Sequence, residues 1–362
     1  MRLIRFEIAK LKIGLKKPFI TALRRVDEIE DIIIKLHTDI GLVGYGEACA
    51  VTAITGTTNK DVIHDLEKTL FPLLLDKEVE LEGIFTLLHN AIACTEAKAC
   101  VDIALYDLLS KQASQSLHAY LGSSSNVLQT DLTISVNTPL LMKEASIKAL
   151  ALGFKNLKIK LDSEVLTNIQ RLRQINEVLS SGIHLRLDPN QALDLKGCLE
   201  ILKNIPTENI ECIEQPFSAK DISSMKQLKD KRLVPVLADE SLFSLSDAQM
   251  LLDEDAIDIL NIKLMKCAGI YEAIKIASLA KSHKKTCMIG SMLEGPISLL
   301  AAAHFALSQS NILMADLDSP LYLKEHPLLE PFHMQKDCIH LSNDLGIGVD
   351  KIIENLHFFQ VQ

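Results

Sequence analysis

Apolar residues are spaced in two different patterns along the chain, one before about residue 125 and another after it. Residues 1–50 contain the strand-like stretches RLIRFEIAKLKI, EDIIIKLHT and LVGYGEA, the last of them after a turn at residues 39–41. This pattern is typical of an antiparallel meander. Apolar residues then recur at helical spacing, most clearly in EAKACVDIALYDLLSKQA, residues 96–113. Residues 1–125 are therefore predicted to form an α+β domain.

From about residue 127, short apolar strands alternate with amphipathic helices. The eight predicted strands are residues 131–136, 156–161, 184–188, 210–215, 235–240, 258–264, 286–291 and 311–318. Such a period favours an α/β fold, a parallel (β/α)7β TIM-like barrel, and a doubly wound open sheet is the alternative. The nucleotide-binding loop G-x-G-x-x-G of many open sheets is missing; its nearest counterpart, Gly41, Gly44 and Gly46, lies in the meander and is interpreted as turn chemistry. The Pro- and Gly-punctuated residues after 322 are expected to pack back on the first domain.

The composition argues against several classes of protein. The net charge of −9 argues against a general affinity for nucleic acid or anionic membranes. No apolar run approaches the ~18 residues of a membrane helix, and the first ten residues carry charges where a signal peptide is apolar. A cytoplasmic protein is expected. Its eight cysteines form no C-x-x-C pair, so we expect most of them to be reduced and buried.

Charged residues end the central predicted strands at one common level. Each follows the previous one by 24 to 28 residues, the length of one βα unit; in order they are Lys160, Asp188, Glu214, Asp239 and Lys263. Because the C-terminal ends of barrel strands meet at one mouth, these side chains are predicted to converge there.

The three carboxylates of this series would repel one another strongly in a mouth of low dielectric. A hard divalent cation removes that repulsion, and Mg²⁺ suits a few carboxylate ligands with positions left open for water and substrate. Asp188, Glu214 and Asp239 are therefore predicted to be Mg²⁺ ligands. Asn190 is compatible either with a polar contact beside the metal or with a turn after Pro189.

Lysines flank the acids on both sides, and Lys160 and Lys263 are predicted to face each other across the mouth. One could remove a proton from a planar intermediate held between them while the other returns a proton to the opposite face. Such a 1,1-proton transfer is a racemisation or epimerisation, made feasible when the metal stabilises the enediolate. Lys158 points the same way as Lys160, and its like charge disfavours protonation of that base.

At these residues the sequence resembles the enolase superfamily, in its muconate-lactonizing-enzyme-like branch. The matching motifs are LKIKL (157–161), LRLDPNQA (185–192), IECIEQP (210–216), LADES (237–241), NIKLMKCAG (261–269) and GSMLEG (290–295). The resemblance implies a capping domain over 1–125, a barrel over 126–322 and a C-terminal segment, 323–362, that completes the cap. It also implies the same catalytic roles for the lysines and the same metal ligands. One departure is Ala268-Gly269, where many relatives have Gly-Gly, and it is expected to affect the turn after Lys263.

Within this branch, ADLDSPLYL (315–323) resembles the D-x-D signature of dipeptide epimerases, whose two carboxylates bind the α-ammonium group of the substrate. The resemblance implies this role for Asp316 and Asp318. It also implies that Arg24, in the loop PFITALRR (18–25), pairs with the side-chain carboxylate of a glutamyl substrate, with Arg25 as the alternative. The remaining predicted substrate contacts are Lys158, Thr133 and Glu294.

The predicted function is thus that of an isomerase, a Mg²⁺-dependent dipeptide epimerase acting on L-Ala-D/L-Glu from murein peptides. A cycloisomerase or o-succinylbenzoate synthase on the same scaffold is the nearest alternative, and a non-catalytic barrel that binds a ligand is the alternative of another class. The expected partner is a small dipeptide, with no nucleic acid or membrane partner and a possible homo-oligomer.

Overall fold

The computed structural model describes residues 1–21, 24–353 and 356–360. Its N-terminal part is an antiparallel sheet of β1 (Leu3–Ile20), β2 (Arg25–Thr38) and β3 (Val43–Ala48). The short strand β15 (Phe359–Gln360) pairs with β1 at the other edge of this sheet. The predicted meander is therefore present, and a strand from the far end of the chain extends it.

Helices cover one face of this sheet. They are α1 (Thr52–Thr55), α2 (Asn59–Asp65), a π-helical turn (Leu66–Leu70), α3 (Phe71–Leu74), α4 (Gly83–Asn90), α5 (Thr95–Gln112) and α6 (Leu117–Tyr120). Helix α5 is almost wholly buried and packs on β3. Backbone carbonyls of α5 lie where a Cβ would stand at Gly44 or Gly46. These two glycines allow a close approach of helix and strand rather than a turn, whereas Gly41, with φ of +83°, does lie in a turn.

The barrel is formed by eight parallel strands in sequence order. They are β5 (Leu132–Ile134), β6 (Asn156–Lys160), β7 (His184–Asp188), β8 (Ile210–Glu214), β9 (Val236–Ala238), β10 (Ile259–Ile262), β11 (Thr286–Gly290) and β12 (Ile312–Asp316). Between the first and last strands, the Asp131 N–H donates to the Ala315 carbonyl at 3.2 Å. The sheet is therefore a nearly closed barrel, as predicted, and not an open doubly wound sheet.

Helices follow the barrel strands along the chain. They are α7 (Pro139–Ala151), α8 (Val165–Asn176), α9 (Leu195–Lys203), α10 (Ile222–Asp230), α11 (Leu245–Asp253), α12 (Leu264–Cys267), α13 (Ile270–Ser282), α14 (Pro296–Ser308) and α15 (Ser319–Tyr322). Four of them start at a side chain that accepts a backbone N–H of the first turn: Thr138, Asp194, Asp221 and Ser244. Local sequence thus sets where these helices begin.

The segment after the barrel contacts both parts of the molecule. A short 3₁₀ turn (Pro327–Leu329) precedes a small sheet of β13 (His333–Gln335), β14 (Cys338–His340) and β4 (Val127–Gln129). Further on, the Ile347 N–H donates to the Asp107 carboxylate of α5 at 2.8 Å. The segment therefore returns to the cap, while the boundaries near residues 125 and 322 stay predictions.

Two predictions from composition can be compared with the structure. All eight cysteines are free thiols, six of them buried, which confirms that they are unpaired. In the described part of the chain, no helix combines the length and the apolarity needed to cross a membrane.

Candidate active site

The carboxylates predicted to bind a metal lie on three neighbouring barrel strands. Asp188 ends β7, Glu214 ends β8, and Asp239 directly follows β9. All three are at most 1% exposed. The register places Lys160 directly opposite Asp188 across the β6–β7 pair, so the common level inferred from the spacing is present.

The Lys158 ammonium lies among these acids. Its Nζ is 2.7 Å from Glu214 Oε2, 3.1 Å from Asp188 Oδ2 and 2.6 Å from Asp316 Oδ2. Burial lowers the pKa of Lys158, but the charges of Asp316, Glu214 and Asp188 outweigh it and raise the pKa well above its usual value. Lys158 is therefore a fixed cation that balances the acidic cluster.

The two lysines predicted to transfer protons each contact one acid. Lys160 Nζ donates to Asp188 Oδ2 at 2.5 Å and to Asn190 Oδ1 at 3.1 Å. Lys263 Nζ donates to Asp239 Oδ2 at 2.8 Å. Burial opposes the charge on Lys263, yet Asp239 raises its pKa above the usual value. In this arrangement Lys263 carries a proton that it can donate.

Asn190 fulfils both of the roles left open by the sequence. Its φ of +44° places it in a turn, and its side chain lies in the site, where Oδ1 accepts from Lys160 and Nδ2 donates to Glu240 Oε1 at 3.3 Å.

Four polar residues of the site were not assigned a role from sequence. Lys266 Nζ donates to Asp239 Oδ1 at 2.6 Å, and Asn261 Nδ2 donates to Glu214 Oε1 at 2.9 Å. Glu240 lies beside the acids, and burial with the charges of Asp239 and Asp188 raises its pKa to about 8. Tyr322 donates its hydroxyl to Asp318 Oδ2 at 2.8 Å. Strand-end position was a usable signal for Asn261 and Glu240, but Lys266 and Tyr322 belong to the short helices α12 and α15 and had none.

A cleft opens over these residues. Both proposed acid–base lysines line it, together with Lys158, Asn190, Asp316, Asp318, Thr133 and Arg24. Residues from the cap, including Phe19 and Thr21, form part of its wall. The site is therefore built at the boundary between cap and barrel.

The D-x-D pair lies at one side of the cleft. The Thr133 N–H donates to Asp318 Oδ2 at 2.6 Å, so Thr133 holds this carboxylate in place. Asp131, Asp316 and Asp318 each have one carboxylate oxygen within 4.8 Å of the others. Of these, Asp131 already accepts from Arg186 at 2.8 Å, and burial with the Asp316 charge raises the pKa of Asp318 to about 6. Such a concentration of acids favours binding of a positively charged group.

Arg24 reaches the cleft from the cap. Its guanidinium is largely buried and donates to the Met292 carbonyl at 2.6 Å. Arg25 is exposed and pairs with Asp27 at 3.1 Å. Residues 22 and 23 of the predicted specificity loop lie outside the described residues. Of the two arginines, only Arg24 is therefore placed to contact a ligand.

Glu294 is buried and directly follows Met292 and Leu293, which line the cleft. Its carboxylate accepts from the Met292 N–H at 2.9 Å and from the Ser298 hydroxyl at 2.5 Å. These contacts connect Glu294 to the start of α14, and its contact with a substrate stays a prediction.

The donor set of the three strand-end acids fits a hard divalent cation. Glu214 Oε2 is buried and has the Lys158 ammonium 2.7 Å away, while Glu240 Oε2 is buried with no hydrogen-bond partner among the described residues. Buried carboxylate oxygens without donors are costly unless a cation is near them. Oxygen ligands of this kind are those that Mg²⁺ prefers.

Comparison with known proteins agrees with this geometry. Residues 4–122 match the family "Mandelate racemase / muconate lactonizing enzyme, N-terminal domain", and residues 141–352 match "Enolase C-terminal domain-like". The L-Ala-D/L-Glu epimerase of Clostridium acetobutylicum is 38% identical over 349 residues, which are 95% of this chain and 98% of that protein.

Solved structures show the same likeness. The substrate-liganded L-Ala-D/L-Glu epimerase of Bacillus subtilis superposes with a TM-score of 0.91 at 35% identity, covering 97% of this chain and 99% of that one. The dipeptide epimerase of Enterococcus faecalis, complexed with Mg and L-Leu-L-Tyr, also gives a TM-score of 0.91, at 33% identity and over 96% of this chain and 99% of that one. The chain therefore belongs to the mandelate racemase and muconate lactonizing enzyme family of the enolase superfamily.

Proposed function

We propose that this protein is a Mg²⁺-dependent dipeptide epimerase, and that L-Ala-D/L-Glu is its substrate. One observation carries the proposal: Lys160 and Lys263 line one cleft together with the acidic pair Asp316 and Asp318. The relatives named above support it, because they are dipeptide epimerases and match this chain over nearly their full length.

Asp188, Glu214 and Asp239 would hold Mg²⁺. When bound, the ion stabilises the negative charge that develops on carboxylate oxygens as the neighbouring carbon loses its proton. Each of these acids pairs with a lysine ammonium group, which supports a site that needs positive charge to balance its carboxylates.

The lysines perform the proton transfer. One removes the α-proton at its Nζ, and the other delivers a proton from its own Nζ to the opposite face. A lysine base must be neutral when it acts. A cation held by Asp239 would compete with Lys263 for that carboxylate and would so favour the neutral amine of Lys263.

The side pockets select the substrate. Asp316 and Asp318 would bind the α-ammonium group, which a dipeptide has and the substrates of a cycloisomerase or o-succinylbenzoate synthase do not. The Arg24 guanidinium can form a bidentate pair with a side-chain carboxylate, which favours a glutamyl residue over an apolar one. A non-catalytic binding protein would not require an amine on each flank of the acids. We also propose a cytoplasmic location, where the eight free cysteines would stay reduced.

The proposal can be tested by incubating L-Ala-L-Glu with the protein and Mg²⁺ in D₂O. Deuterium is expected at the glutamyl α-carbon together with formation of L-Ala-D-Glu. L-Leu-L-Tyr is tested in parallel as a dipeptide with apolar side chains. Absence of deuterium from both dipeptides would refute the epimerase activity, while deuterium only in L-Leu-L-Tyr would refute the glutamyl preference.

Two variants test the substrate contacts. The Asp316→Asn variant is expected to raise KM, and Arg24→Met is expected to reduce the preference for the acidic dipeptide.

A further inference from the structure

A buried carboxylate of the cap lies on the barrel just beyond Lys263. Asp102, on α5, accepts the Ile270 N–H at 2.6 Å, and its two oxygens lie 3.3 and 3.4 Å from the Tyr271 nitrogen. These amides begin α13, so the carboxylate binds the positive end of a helix from another part of the molecule. Gly269 lies so near that a Cβ there would overlap Asp102. The cap and the barrel are in close contact at this point.

His89 holds the Asp102 carboxylate from the cap side. Its Nε2 lies 3.0 Å from Asp102 Oδ2, and its ring stacks with those of Phe85 and Tyr271. The orientation of the carboxylate is therefore fixed by both a polar and an aromatic contact. Burial raises the pKa of Asp102, whereas His89 and the two backbone N–H groups oppose that shift.

The backbone between this contact and Lys263 is hydrogen-bonded throughout. The Lys263 carbonyl accepts from the N–H groups of Lys266 and Cys267, at 3.0 and 3.2 Å. The Leu264 carbonyl accepts from the Gly269 N–H at 2.9 Å. A single hydrogen-bonded turn, α12, therefore connects Lys263 to Gly269 and to the Asp102 contact at Ile270.

Lys160, the other lysine proposed to transfer protons, is held by different contacts. Lys160 ends β6, which is paired on both sides with the barrel strands β5 and β7. Its amine contacts Asp188 and Asn190, both of the barrel. Lys160 is thus the last residue of a paired strand, whereas Lys263 lies just after the paired strand β10 and begins the turn of α12, which leads to the contact with the cap.

We propose that Asp102 is a positioning residue for Lys263, and that its contact with α13 sets the geometry of proton transfer on one face of the substrate only. The inference rests on the proposed epimerase activity. A displacement of about 1 Å at a reacting group can cost about 100-fold in rate, so the effect falls on the face served by Lys263.

The test measures deuterium uptake from D₂O into the unreacted starting dipeptide, separately for each epimer of the substrate that the wild-type protein turns over with Mg²⁺. The Lys263→Ala variant identifies the epimer whose exchange depends on Lys263. In Asp102→Asn we expect uptake into that epimer to fall about 10- to 100-fold, with uptake into the other epimer changed no more than about twofold. A purely structural role would lower both rates equally.

Asp107→Asn is the matched control. Asp107 is also fully buried on α5, and it accepts the N–H groups of Tyr45 and Ile347 rather than those of α13. The Asp107→Asn variant is expected to lower the melting temperature as much as Asp102→Asn does. It should leave the ratio of the two epimers' exchange rates at the wild-type value.

Three results would overturn the inference. They are equal losses for both epimers in Asp102→Asn, the same bias in Asp107→Asn, and an unchanged ratio in His89→Phe, which keeps a ring in the stack but removes the nitrogen from Asp102. The His89 variant decides the question if Asp102→Asn does not fold. A wild-type protein that exchanges neither epimer would instead refute the proposed function.

Discussion

Buried carboxylates occupy two regions of this protein and have different partners in each. In the barrel mouth, Asp188 and Asp239 meet lysine ammonium groups. At the boundary between cap and barrel, Asp31 accepts the Gly295 N–H, and Glu47 accepts the N–H groups of Ile297 and Ser298 at the start of α14. A peptide N–H cannot move away or lose its proton at neutral pH, whereas an ammonium group can do both. The type of partner, rather than burial alone, therefore distinguishes the carboxylates of the proposed active site from those with a structural role.

The pKa directions show the same contrast. Burial opposes the charge of every one of these acids, but Lys160 and Lys263 outweigh it, so the pKa values of Asp188 and Asp239 are lowered. At the boundary, burial prevails; it raises the pKa of Asp31 to about 7 and that of Glu47 well above its usual value. In the mouth, Asp188 and Asp239 are thus kept charged, although burial and the Asp188 charge raise the pKa of Glu214; at the boundary, burial favours the protonated forms of Asp31 and Glu47.

The largest effect is expected from removing either amine. Lys160→Ala and Lys263→Ala should each lower the epimerisation rate at least about 1,000-fold, as loss of a general acid or base does. At least one variant should still exchange the α-proton of a single epimer, since the other lysine remains. Chiral chromatography and NMR in D₂O measure the two quantities. Lys148→Ala, on the exposed part of α7, is the control, and normal epimerisation by either active-site variant would rule out the two-base assignment.

Removing an acid from the mouth should affect both metal binding and folding. Asp239→Asn leaves the Lys263 and Lys266 ammonium groups without their anion, and we expect the free energy of unfolding without Mg²⁺ to fall by about 3 kcal/mol. Mg²⁺ should raise the melting temperature of the wild-type protein, because it binds the folded state, but should have little effect on the variant. Calorimetry with and without Mg²⁺ measures both, and full stabilisation of the variant by Mg²⁺ would exclude Asp239 as a ligand.

An acid at the boundary should behave differently. Glu47→Ala leaves the N–H groups of Ile297 and Ser298 without an acceptor and is expected to cost about 2 kcal/mol. Glu47→Gln keeps an acceptor and resembles the protonated acid, so it should cost less than about 1 kcal/mol. Denaturant unfolding measures both, and neither variant should change the stabilisation by Mg²⁺. A larger cost for Gln than for Ala would show that Glu47 is charged.

The smallest effect concerns the turn after Lys263. Ala268 has φ of +68°, a left-handed conformation that costs a residue with a Cβ about 1 kcal/mol or more. Ala268→Gly should therefore raise the free energy of unfolding by roughly 0.5 to 1 kcal/mol, after the greater chain entropy of glycine is subtracted. The rate of epimerisation should remain within about twofold of wild type; a destabilised variant would show that the methyl group contributes packing.

The barrel and its charged mouth could be predicted from sequence because the strands are apolar except where they end. A lysine or acid at a strand end is then conspicuous, and the spacing of one βα unit brings these residues to one level. The partners of Lys266 and Asn261 could not be predicted, since each belongs to an earlier strand: Asp239 follows β9, and Glu214 ends β8. The contacts of Glu294 with Met292 and Ser298 could not be derived from spacing either, and its predicted role at the substrate stays a prediction.

Arg24 enters the cleft from the cap, whereas the proposed proton-transferring amines come from the barrel. The proposed contact to the substrate side chain and the proposed proton-transferring amines are therefore encoded in distant stretches of the polypeptide. A substitution at Arg24 could then change which dipeptide is preferred while leaving those amines in place.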